Sequence, residues 1–125
     1  MADENNPDDW FLLAENRLQI ADDSYSIRGA TFGCVELLHE AVERYLKGWL
    51  IAHGWPLQRT HNLRVLMEES EAYDAAFGQF FDFADALTQK FFAQHYPGSD
   101  LEDVLTDYDE LREQTILLID LIRRG

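Results

Sequence analysis

Few residues in this chain could do chemistry, and their spacing narrows what that chemistry would be. Histidines stand at positions 39, 53, 61 and 95, and Cys34 is the single cysteine. Lys90 precedes His95 with four residues between them, Phe91-Phe92-Ala93-Gln94. A lysine can neutralise charge on a phosphorane and a histidine can act as general acid or base. Lysine lacks the planar fork with which arginine grips phosphate through two bonds. The plainer reading of Lys90 and His95 is a helix end whose cations complement the C-terminal dipole.

The other candidates are weaker. Glu36-x-x-His39 has the spacing of a di-iron ligand pair, but that chemistry needs a second copy and further inward carboxylates. The residues three before His53, His61 and His95 are Leu50, Gln58 and Phe92, so a solvated face is expected and no metal. His61 follows Arg59 and Thr60 at the start of a helical pattern, where the two ring-bearing or cationic side chains could contact a ligand or a partner. A structural bond from His61 to a neighbouring helix is the plainer expectation. Cys34 lies on an apolar stripe with no basic neighbour on that face and reads as core. Gly-rich phosphate loops, a Ser nucleophile elbow and Cys-x-x-Cys are absent, so no cofactor is expected. Phe77, Phe80, Phe81, Phe83 and Phe91 lack the basic companions of a base-stacking platform and read as core.

Helices must position these groups, because apolar residues recur at three and four throughout. Residues 1–9 are polar and are expected to be a flexible start. Trp10, Ala14, Leu18, Ala21 and Tyr25 mark a first helix, with Asp8 or Asp9 as N-cap. A break is expected at Asp22-Asp23-Ser24. The longest helix then runs over about 25–53, with Ile27, Ala30, Cys34, Leu38, Ala41, Tyr45 and Trp49 inward. Glu36, Glu40, Glu43 and Lys47 form its polar stripe. Gly54 is a C-cap candidate and Pro56 stops continuation. A third helix is expected near 61–71 with Thr60 as cap, and a fourth from Asp74 to before Pro97-Gly98. Ser99-Asp100-Leu101-Glu102 is a capping box that opens a fifth. That helix is apolar on most sides, so it is either central or part of an oligomer interface. Short connections predict an all-α, up-down bundle of about five helices, one domain over 1–125.

Composition excludes several classes. Ten basic against 24 acidic residues give a formal net charge of −14, which repels phosphate backbones and anionic membranes at long range. A basic protein partner, or solubility alone, explains the charge. With one cysteine there is no disulfide framework, which fits a reducing compartment. The first residues have neither a basic start nor an apolar core, so no secretory leader is expected. No apolar run approaches the roughly 20 residues that span a bilayer. A cytoplasmic protein is expected.

His39 to Gly54, with Ala41, Glu43, Leu46, Lys47 and Leu50 in order, resembles the long second helix of the HEPN domain and its "A-x-E-x-x-L-K-x-x-L" core. Thr60-His61-Asn62-Leu63 is similar to the family's "T-H-x-L", and Tyr96-Pro97 to its "R-Y-P" junction. Trp10 and Ala14 suit its first helix. Together these features span nearly the whole chain in family order. The resemblance implies a helical bundle that dimerises, often encoded with a minimal nucleotidyltransferase as a toxin–antitoxin or related pair. Active members are metal-independent ribonucleases using Arg-x(4–6)-His; here no arginine lies five to seven residues before any histidine, and the nearest match to that motif is Lys90-x4-His95. It also suggests Tyr96 as a contact or modification site for a partner enzyme.

The function expected is therefore a HEPN-like interaction module, homodimeric, acting with a protein partner such as a nucleotidyltransferase. One alternative is a divergent RNA endonuclease using Lys90 and His95. Another is a bundle that binds a nucleotide or small ligand through Arg59, His61 or Tyr96.

Overall fold

A computed structural model describes residues 4–95 and 101–124. Over these residues the chain is all-α, with six α-helices and one 3-10 segment. Helix α1 spans Pro7–Arg28 and begins where Asn6 Oδ1 accepts the Asp8 amide at 3.0 Å, with Pro7 in the first turn. The cap is thus Asn6, two or three residues before the aspartates expected to do it. Its proline needs no amide partner at that position.

The expected break at Asp22-Asp23-Ser24 is absent. Aspartate and serine disfavour a helix interior by only a few tenths of a kcal/mol each, which tertiary bonds can offset. Asp22 takes a forked pair from Arg112 at 2.7 and 2.8 Å, and Tyr25 donates to Asp109. The helix ends at Gly29 instead, whose φ of 74° is open to glycine at little cost. Helix α2 then spans Phe32–Ala52, capped by Thr31 Oγ1 accepting the Cys34 amide. At its far end Gly54 adopts φ 89°, as the sequence leads one to expect.

Helices α1 and α2 lie antiparallel, since Trp10 meets Lys47, Arg17 meets Glu40 and Ala21 meets Cys34. They approach closely at Gly48, where an added Cβ would sit 2.8 Å from the Phe11 ring and 3.1 Å from the Trp10 Cβ.

Helix α3, Leu63–Tyr73, is capped by Asn62, whose Oδ1 accepts the Arg64 and Val65 amides. Thr60, the expected cap, accepts the Asn62 amide one step earlier. Asp74 does cap the next element, but that begins as a 3-10 segment, Ala75–Phe80, before α4, Phe81–Ala93. The capping box at Ser99-Asp100 lies outside the described residues. The last helix is divided into α5, Leu101–Leu105, and α6, Tyr108–Arg124, by Asp107 at φ 61°. That left-handed conformation is one that Asp adopts more readily than most non-glycine residues.

Leu38, Leu46 and Leu50 of α2, Leu66 of α3, Phe77, Leu87 of α4 and Leu118 of α6 fill the core. Ile27, placed inward by the periodicity, is 79% exposed, and Leu117 of α6 is 53% exposed. Glu43 and Lys47, placed on a solvated stripe, are buried. Among the described residues no helix is long and apolar enough to cross a membrane.

Candidate functional site

A cleft of about 600 Å³ opens between α2, the approach to α3 and the last turns of α4. Residues on successive turns of α2 share one face, so Glu36, His39, Glu40, Glu43 and Arg44 form its floor. Phe91 and Phe92 of α4 make one wall, and Arg59, Thr60, His61 and Asn62 make the rim.

At one end Glu43, only 5% exposed, binds Lys47 Nζ at 3.1 Å and His61 Nδ1 at 3.1 Å. The ammonium of Lys47 also lies 5.5 Å from the centre of the Trp10 ring. A buried charge survives only when paired, and here carboxylate, ammonium and indole satisfy one another. Ionised Glu43 can only accept, so the hydrogen of this contact is on His61 Nδ1, and Nε2 lies on a largely exposed ring. Nε2 of His61 is thus open to one hydrogen bond with a ligand or partner.

In the middle of the floor His39 is 1% exposed and stacks on Phe91 with ring centres 4.0 Å apart. Neither ring nitrogen has a hydrogen-bond partner among the described residues. Burial lowers its pKa to about 4, the nearby Glu43 carboxylate opposing the shift. His39 is therefore neutral near pH 7. Two unmet polar atoms in a buried ring cost on the order of 1–3 kcal/mol each.

At the other end His95 Nε2 lies 3.3 Å from Glu36. Lys90 points elsewhere, donating to the Asp103 carbonyl and the Thr106 hydroxyl, and so tying α4 to α5. The structure does not bring Lys90 and His95 together. Arg44 meets Glu40 at 3.6 Å, and Arg59 at the rim meets Glu4 at 3.1 Å. Each cationic side chain of the cleft thus faces a carboxylate, and a phosphate would have to displace that partner. Tyr96 lies outside the described residues. Cys34 is buried beside Thr31 and the Ala21 carbonyl. Among the described residues no group of three or more His, Cys, Asp or Glu could hold a metal ion.

Sequence reasoning placed His61 here but missed Glu43 and Lys47. The signal existed: Glu43 and Lys47 are the Glu and Lys of the helix-two pattern, and His61 is the His of "T-H-x-L". Two sequence patterns 18 residues apart converge on one ion cluster.

The family model of the HEPN domain matches residues 7–124 of the chain. HEPN domains include helical partners of nucleotidyltransferases and ribonucleases. Comparisons with curated proteins and with solved structures return no match.

Proposed function

The chain belongs to the HEPN family, and from that premise we propose that it is an interaction module without ribonuclease activity. It acts as a homodimer with a protein partner, a minimal nucleotidyltransferase, in a toxin–antitoxin-like or nucleotide-linked system of the cytoplasm. The observation that carries this reading is the separation of Lys90 from His95. Lys90 bonds Asp103 and Thr106, whereas His95 meets Glu36, so no preassembled cation stands beside the imidazole to steady a phosphorane. The net charge of −14 adds to it, since long-range repulsion disfavours RNA.

The test is light scattering of the purified chain, alone and co-expressed with a minimal nucleotidyltransferase. A dimer that forms a stable complex supports the reading. A monomer at micromolar concentration, with no complex, overturns it.

A second reading has its own observation. His39 offers a buried donor and acceptor without partners on the floor of a cleft that also presents His61 Nε2. Both atoms are closed off and Phe91 stacks on the ring, so a small planar ligand that took the place of Phe91 would reach them, and this supports nucleotide or small-ligand binding. Thermal shift with nucleotides checks this, and no shift at millimolar concentration speaks against it.

A further inference from the structure

The floor of the cleft carries an excess of acceptors. Glu36 and Glu40 stand one turn apart on α2, about 6 Å along its axis, on the same face. Like charges at that spacing repel. The cations near them stand off. Arg44 lies 3.6 Å and Arg17 3.9 Å from Glu40, both beyond hydrogen-bond distance. Glu36 faces His95 at 3.3 Å, and among the described residues no lysine or arginine pairs with it. Glu43, one turn on, is by contrast held by Lys47 and His61.

His39 lines the same floor, buried, and neither of its ring nitrogens has a partner among the described residues. A neutral imidazole has one nitrogen that accepts. The Phe91 ring, 4.0 Å away in the last turn of α4, closes it off, and a turn of that side chain opens it to the cleft.

From these groups we propose that the cleft seats an arginine side chain presented by a partner protein. Its guanidinium lies against Phe91 and donates to Glu36, Glu40 and His39. The inference rests on the partner part of the reading above and names the chemistry by which the partner is held.

Charge and shape select this occupant. A guanidinium carries its N–H donors in one plane, enough for two carboxylates and an imidazole nitrogen. Its face stacks on an aromatic ring, which Phe91 supplies. A lysine ammonium would meet the charge but has neither the fork nor the flat face. A phosphate finds Arg44 and Arg59 already facing Glu40 and Glu4. A neutral ring compound leaves the repulsion between Glu36 and Glu40 unrelieved. At about 600 Å³ the cleft has room for a whole side chain and the peptide that bears it. The net charge of −14 draws a basic partner from a distance.

The experiment titrates the full chain, isotope-labelled, with a blocked alanyl-arginyl-alanine peptide and reads amide and ring signals by NMR. The control peptide carries citrulline, which keeps the plane and removes the charge. The arginine peptide moves the His39 and Phe91 signals, and the citrulline peptide binds at least tenfold more weakly. Glu36→Gln with Glu40→Gln, at partly exposed positions and folded by circular dichroism, weakens arginine-peptide binding tenfold or more. Glu113→Gln, on the exposed side of α6, leaves it unchanged. Equal binding of the two peptides, or binding untouched by the paired glutamine variant, overturns the site. Free arginine that binds more tightly than the blocked peptide makes the occupant a metabolite and overturns the partner. A nucleotidyltransferase complex without any peptide binding overturns this site and leaves the partner module standing. Peptide binding here without that complex supports the site and overturns the nucleotidyltransferase as its partner.

Discussion

The Glu43 carboxylate is shared between Lys47, one turn along α2, and His61, on the rim in the α2–α3 loop, with 3.1 Å to each. Both Glu43 and Lys47 are nearly inaccessible, so neither can fall back on water if the other is removed. Glu43→Ala should therefore cost about 3–5 kcal/mol in urea unfolding, because it leaves an ammonium buried without its partner. Replacing both, Glu43→Leu with Lys47→Met, should cost far less than the single change, since two apolar side chains need no partner. A single and a double variant equally unstable would show that the pair's charge is not what matters there.

His39 gives a pH dependence whose sign is fixed by its pKa of about 4. In the unfolded chain the group titrates near the ordinary 6.5, so between these values the unfolded state binds more protons. Stability is therefore full above about pH 6.5 and falls as pH drops toward 4, by up to about 3 kcal/mol from this one group. His39→Phe, which keeps a ring against Phe91 and removes the unmet nitrogens, should flatten that part of the profile. It should be neutral or stabilising at pH 7. Denaturant melts of both proteins from pH 4 to 8 check it, and parallel profiles would contradict the assignment.

Gly48 tests the closest approach of α1 and α2. Alanine would improve helix propensity by about 1 kcal/mol, but overpacking costs about 1–3 kcal/mol. The Phe11 ring can turn aside from the new methyl. The Trp10 Cβ, 3.1 Å from it, is fixed to the α1 backbone and cannot. Net destabilisation of about 1 kcal/mol is expected, measured as a lowered urea midpoint at unchanged slope. Trp10 fluorescence should shift with it, because moving α1 outward admits water to the indole that covers Lys47.

The sequence made the helices and several ends legible because those ends are local. Gly54 and Asp74 announce themselves by residue type, and the structure uses both. The failures involve distant partners. Nothing near Asp22 reveals that Arg112, ninety residues away, will hold it inside a continuous helix. Nothing near Glu43 and Lys47 reveals that Trp10 and the His61 rim will cover them, so an i,i+4 pair read as solvated became buried. Asp107 breaks the last helix through a positive φ that its sequence neighbours do not demand.

Lys90 and His95 give the sharpest functional prediction. The Lys90 ammonium spans α4 to α5 through the Asp103 carbonyl and Thr106, and His95 makes a half-exposed pair with Glu36. Lys90→Ala should cost about 1 kcal/mol of stability, the net value of a lost hydrogen bond. His95→Ala should cost about 0–1 kcal/mol, as exposed pairs do. Neither change should alter RNA turnover, because the wild-type protein, purified to homogeneity and without added metal, should leave single-stranded RNA intact. A phosphorane needs a cation and a proton carrier on the same phosphate, and these two side chains serve different neighbours. If wild type does cleave and both folded variants do not, the two residues must converge in a state or assembly other than this one. The chain would then be a divergent ribonuclease, and its role as a non-catalytic module would be wrong.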